Sequence, residues 1–292
     1  MSIIETQSGL VKALSDEMTP KFLATRSADG IPNVVPCTSL MPAGDVVRLR
    51  SPQVEDRLIF GNFLLRKSVR NLDSDPRVGI LVITTDLEGW VLQGDFVEWQ
   101  RTGAYVDRLN NTDLLRYNAY TGVRNTGIIQ VREVLRHFRF SKLRVLADYL
   151  LARAAARPIT PPSPPVAGGS PFLPKEAVTM PLAVRKKFSP VTAVRVLAFL
   201  DGKGYPLVAP VLSLQPAGES ALVCTEGLPA DMLEPLAAGD PVAASLLTLD
   251  VVSFQAKGRW LGSRRLLGAP LGAMSVTAVY AGGPPIPGRQ VA

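Results

Sequence analysis

Arg66, Lys67 and Arg70 fall within five residues of one another, beside Ser68 and Asn71, near the expected start of a short helix. A helix N-terminus offers unpaired backbone N–H groups and the positive end of the peptide dipole, and arginine adds a fork of donors shaped for phosphate oxygens. These residue types in this spacing suit a phosphate cradle; the competing account of the same residues is a solvated helix face. Other chemistries have less to work with. His137 is the single histidine, so a Ser-His-Asp triad or a histidine-rich metal site would hang on it alone. Cys37 and Cys224 lie in expected strands of different halves without CxxC spacing, which predicts reduced core thiols and no metal site. No catalytic acid or base is identified.

The elements that must position the basic cluster are legible around it. Ile59 to Leu81 reads as strand end, turn, basic helix, Asp-Pro and a buried strand. Upstream, Phe22 to Gly44 aligns without gaps on Val196 to Gly218, and 11 of 23 positions are identical: Leu23, Ala24, Gly30, Pro32, Val34, Pro36, Ser39, Leu40, Pro42, Ala43 and Gly44 all recur. The retained residues are turn formers and apolar strand positions. A hairpin closes at Gly30 and again at Gly204, followed by a strand over 32–40 or 206–214. Pro42-Ala43-Gly44 then turns toward a strand at Val46 to Arg50. The likeness resumes at Asp75-Pro76 and Asp240-Pro241 and continues through Gly94 and Gly258 to closing strands at 128–135 and 275–280. On this alignment the positions of Arg66, Lys67, Arg70 and Asn71 are taken by Asp231, Met232, Pro235 and Leu236, so the second copy loses the cradle.

Between the copies, Ser141 is placed to cap a helix whose Leu143, Leu146, Leu150 and Ala154 share one face. Pro158 ends it, and a stretch rich in Pro, Gly and Ser follows. The expected organisation is a first domain over 1–157, a linker over 158–175 and a degenerate second copy over 176–292. The expected fold class is mainly β with peripheral helices.

With 292 residues, 47% hydrophobic and 20% charged, the chain suits two folded domains and excludes a disordered protein. A net charge of +7 and a pI near 9.6 favour anionic partners such as phosphate-bearing cofactors. No nucleic-acid motif accompanies that charge. Asp148 and Arg153 interrupt the apolar run Val145 to Ala156, which is shorter than the roughly 20 residues of a membrane span, and the N-terminus lacks a signal-like core. A cytoplasmic protein with no membrane partner is therefore expected.

Gly61-Asn62, Arg66-Lys67, Asn71-Leu72 and Asp75-Pro76-Arg77-Val78 together resemble the split-barrel flavoproteins related to pyridoxamine 5'-phosphate oxidase. The likeness covers about 22–103 well and about 196–261 more loosely. It implies two tandem split β-barrels related by a pseudo-two-fold axis, a pseudo-dimer within one chain, with flavin mononucleotide (FMN) held at the interface of the barrels. It further implies Arg66 and Lys67 on the flavin phosphate, Pro36, Cys37, Thr38, Ser39 and Asn62 along the ring and ribityl chain, and Gln93 as another contact. Lys257, Arg259 and Trp260 would wall the site from the second copy. The implied activity is a flavoprotein oxidoreductase acting on a small organic substrate. The rivals are a deazaflavin or haem in the same fold, haem requiring His137 as axial ligand, and a non-catalytic binding or assembly protein.

Overall fold

The computed structural model describes residues 2–44, 56–63, 65–112, 123–156, 177–226, 230–266, 268–283 and 287–292. The expected strand Val46 to Arg50 and the linker 158–175 lie outside them. The chain divides into two compact units: Met1–Arg139 with Leu200–Val208, and Phe140–Phe199 with Ala209–Ala292.

The first sheet contains β1 (Lys21–Arg26), β2 (Pro32–Pro36), β3 (Met41–Pro42), β4 (Arg57–Gly61), β5 (Arg77–Ile83), β6 (Glu88–Gln100) and β7 (Thr126–Arg139), in the spatial order β2-β1-β5-β6-β7-β4-β3. The second contains β8 (Val194–Leu200), β9 (Pro206–Pro210), β10 (Gln215–Ala217), β11 (Ala221–Thr225), β12 (Pro241–Leu247), β13 (Ser253–Leu266) and β14 (Ala269–Ala281). Its order, β9-β8-β12-β13-β14-β11-β10, is the first order repeated strand for strand, and every pairing is antiparallel. The duplication read from the sequence is thus a duplication of topology, and the tandem, mainly β split-barrel class is the one observed.

Finer details repeat as well. Gly30 and Gly204 both take positive φ, and each turn closes with the same pair of bonds: Ser27 N–H to Ile31 O and Gly30 N–H to Ser27 O, then Asp201 N–H to Tyr205 O and Gly204 N–H to Asp201 O. A bulge sits at Gln93/Gly94 and another at Lys257/Gly258. At these bulges a Cβ would lie 2.6 Å from Gln130 O at Gly94 and 1.6 Å from Ser275 O at Gly258, which explains why both positions are glycine.

Two expectations change. The single strand expected over 32–40 breaks after Pro36: Cys37 N–H turns back to Lys21 O at 2.7 Å, and Leu40 N–H closes a turn on Cys37 O at 3.1 Å. The second half does the same, with Val211 N–H on Arg195 O and Leu214 N–H on Val211 O. Strand pairing also moves the alignment of the copies by one residue beyond β4. Ala24 pairs with Gly79 and its counterpart Ala198 with Ala243, while Phe96 N–H bonds Pro76 O and Trp260 N–H bonds Asp240 O. Pro76 therefore matches Asp240. Sheet register is set by the buried face, and the shared Asp-Pro letters are out of register.

The helices are peripheral: α1 (Leu10–Ser15), α2 (Arg66–Ser74), α3 (Ala104–Asn110), α4 (Lys142–Ala155), α5 (Leu182–Phe188) and α6 (Ala230–Leu233). Leu10 and Leu14 join Leu23, Leu58, Phe60, Leu72, Ile80 and Trp90 in the first unit's main core. On the other side of β4, Ile59 and Ile128 pack with Tyr105 and Leu109 of α3 and with Val123. Helix α4, assigned to the first half by sequence, packs on β10 and β11 of the second unit. Among the described residues, no helix is long and apolar enough to cross a membrane.

Candidate functional site

The turn after β2 and the end of β4 meet through one hydrogen bond, Gly61 N–H to Ser39 Oγ at 3.1 Å. Gly61 must lack a side chain here, since a Cβ would stand 2.9 Å from Val123 Cγ2 and 3.6 Å from Ser39 Oγ. Beneath the turn, the buried Lys21 ammonium donates to Thr38 O at 3.4 Å. Burial is the main cause lowering the Lys21 pKa. Asn62 N–H donates to Asn125 O at 3.0 Å, which brings in the start of β7. There the buried Thr126 Oγ1 and Asn125 Oδ1 have no partner among the described residues. Thr38, Ser39, Gly61, Asn62, Asn125 and Thr126 therefore form one polar corner, placed on turns rather than on the expected strand.

Helix α2 starts immediately beyond this corner. Leu65 and Leu72 sink into the core, Asn33 Nδ2 donates to Ser68 Oγ at 3.1 Å, and Asn71 Nδ2 donates to Thr25 Oγ1 at 2.9 Å. These contacts fix the first turn over β1 and β2. No side chain caps the helix and its first turn holds no acid, while Arg66 and Lys67 occupy that turn. Cations at the positive end of a helix dipole are unfavourable, and uncapped N–H groups add to the cost. Lys67 registers the strain: burial, and then the neighbouring Arg70, lower its pKa to about 8. A bound anion would relieve all three costs, so the residues present fit a phosphate group.

Not every expected site residue joins this corner. Pro36 ends β2 at its edge, half-buried. The Cys37 thiol points into the main core, where burial raises its pKa to about 11. Cys224 is also a buried free thiol, its pKa raised by burial. Gln93, on β6, is separated from β2 by two intervening strands and donates to Asp201 Oδ2 at 2.8 Å. That contact belongs to a polar lattice within the first unit in which Arg26 donates to Gly204 O, Arg77 to Lys203 O and Tyr205 Oη to Asp95. Trp260 is buried over Gly272 in the second unit's own sheet, which leaves it unable to wall another site. His137 Nε2 lies 2.9 Å from Glu88 Oε1, and its ring stacks on Trp90 with centroids 5.0 Å apart.

Sequence reading missed Lys21, Asn33, Asn125 and Thr126. Lys21 had a signal: it directly precedes the aligned segment, and Arg195 holds the matching place in the second copy. Asn125 and Thr126 just precede the closing strand read at 128–135 and lie outside the segment that aligns without gaps, so comparison between copies did not single them out.

The second half carries the same corner in altered form. Ser213 Oγ accepts from Thr225 N–H at 3.1 Å, as Ser39 does from Gly61. The buried Arg195 donates to Phe188 O at 2.8 Å and also to Leu212 O and Pro190 O, replacing Lys21. Its pKa falls to about 10 because of burial. The following helix, α6, is four residues long with Asp231 in its first turn. By helix start and strand register, Ala230 and Asp231 occupy the places of Arg66 and Lys67, one residue from the sequence alignment. Phe140, Val145 and Asp148 close over Leu212 and Ser213, leaving a small cavity between them.

No family model matches the chain, and no curated protein matches it. Solved structures do. An FMN-binding protein from Syntrophomonas wolfei is 18% identical, with 48% of this chain and 88% of that one covered and a TM-score of 0.36. A Clostridium acetobutylicum protein related to general stress protein 26, of the pyridoxinephosphate oxidase family, is 14% identical, with 49% and 95% covered and a TM-score of 0.31. The heme storage protein HutZ of Vibrio cholerae is 15% identical, with 48% and 95% covered and a TM-score of 0.30. The family resemblance read from the sequence is met again among these structures.

Proposed function

We propose that the first unit binds FMN through its phosphate at the start of α2 and serves a redox reaction on a small organic substrate. The observation that carries this reading is the inverted first turn of α2: uncapped, without acid, holding Arg66 and a half-buried Lys67, and beginning beside the Ser39–Gly61–Asn62 corner. Arg66 and Lys67 supply charge, the first-turn N–H groups supply directed donors, and Ser39, Asn62, Asn125 and Thr126 offer polar groups to the rest of the ligand. Cys37 contributes backbone alone, and Gln93 holds the Asp201 turn instead of a ligand. When bound, the flavin would supply the hydride or electron transfer. The chain's part is to orient it and neutralise its phosphate.

His137 is engaged by Glu88 and Trp90, which argues against it as a haem ligand. Titration of the apo-protein with FMN, followed by quenching of flavin fluorescence, tests the reading. Lys67→Met should weaken binding about ten- to hundred-fold, the range for one charge-assisted hydrogen bond, whereas His137→Gln should leave it unchanged. Equal affinity in the wild type and Lys67→Met would refute the placement.

A further inference from the structure

Helix α4 exposes the face on which Leu143, Leu146, Leu150 and Ala154 lie together. Asp148, Tyr149, Ala152 and Ala155 face inward, and Tyr149 Oη donates to Ser189 O at 2.7 Å. Leu143, Leu146, Ala147, Leu150 and Ala154, which share one side at about 100° per residue, are all exposed. Leu143 is 80% exposed, Leu146 45% and Leu150 54%. Arg144 borders this stripe on one edge and Lys142 and Arg153 on the other. The helix's one carboxylate, Asp148, sits on the inward side.

We propose that this outer face of α4 rests on an anionic lipid surface, its leucines in the interface and its edge cations at the headgroups. Cations along both edges of an apolar stripe suit such a surface, because their aliphatic stems follow the leucines while the charged ends reach phosphate. A second copy of the same face is the poorer occupant. Pairing two such helices would set Arg144, ion-paired to Asp148 at 3.5 Å, and Arg153, whose Nη1 donates to Tyr149 Oη at 2.9 Å, against cations of the partner helix. The expectation of no membrane partner rested on the shortness and charge interruptions of the apolar run, which bear on a span and not on a helix face lying on a surface.

Co-sedimentation of the full chain with vesicles tests the proposal, using phosphatidylcholine alone and phosphatidylcholine with phosphatidylserine, at low and high salt. Binding is expected to the serine-containing vesicles alone and should weaken with salt. Leu146→Glu and Leu150→Glu should each reduce it about tenfold or more, with circular dichroism unchanged because both side chains are exposed. Failure to bind serine-containing vesicles at low salt would overturn the proposal, as would undiminished binding by the double variant. A concentration-dependent dimer abolished by Leu146→Glu, without vesicle binding, would overturn it in favour of a second copy.

Discussion

The two halves share strand order, turns and glycine bulges, yet they differ at the corner where β2 or β9 turns toward the next strand. In the first half that corner is built from Ser39, Asn62 and Thr126 and is followed by a nine-residue helix led by Arg66 and Lys67. In the second, Phe140, Val145 and Asp148 close over Leu212 and Ser213, and the helix shrinks to four residues led by Ala230 and Asp231. Asp148 lies over Leu212 and Ser213, the places matching Thr38 and Ser39, and burial raises its pKa. Scaffold and surface chemistry are therefore separable: one topology carries a basic, uncapped helix start in one copy and a covered, acid-bearing surface in the other.

The shared scaffold can be broken most severely at the bulges. Gly258→Ala would drive a Cβ into Ser275 O, a backbone atom that cannot step aside, and should cost about 3 kcal/mol or more in denaturant unfolding. Gly94→Ala meets Gln130 O at 2.6 Å and should cost less. Equal, negligible losses would mean the bulges are incidental.

The buried cations give a smaller contrast. Arg195 serves three carbonyls, whereas Lys21 makes one long bond to Thr38 O. Arg195→Met should destabilise by roughly 2 to 3 kcal/mol and Lys21→Met by roughly 1 kcal/mol, measured by urea unfolding. The reverse order would show that the second half does not depend on this centre.

The mildest effect is on pH dependence and belongs to the first half alone. Lys67 has a folded pKa of about 8, below the unfolded lysine value, so between about 8 and 10.5 the unfolded chain holds the extra proton. The contribution of Lys67 to apo-protein stability should therefore rise with pH across that window. Anion binding favours the charged lysine, so FMN affinity should fall over the same window, by at most about tenfold per pH unit. Lys67→Met should flatten both trends.

Much of the scaffold was legible because turn glycines, prolines and alternating apolar residues answer to local rules that hold in each copy. The basic start of α2 was legible for the same reason. The break after Pro36 was not, because it depends on Lys21 O capturing Cys37 N–H, a tertiary contact. The one-residue shift at Asp75-Pro76 was hidden because identical letters outweighed strand pairing. For α4 the shared face of Leu143, Leu146 and Leu150 was legible, but which face is buried was not, because it depends on Tyr149 Oη donating to Ser189 O, a tertiary contact.

The asymmetry of the halves is tested most directly by the number of FMN molecules bound per chain at saturation, measured by equilibrium dialysis of the apo-protein and of its Lys67→Met and Asp231→Ala variants. One FMN per chain, weakened by Lys67→Met and untouched by Asp231→Ala, is the expected result. Two equivalent sites, or a single site indifferent to Lys67 and sensitive to Asp231, would contradict it.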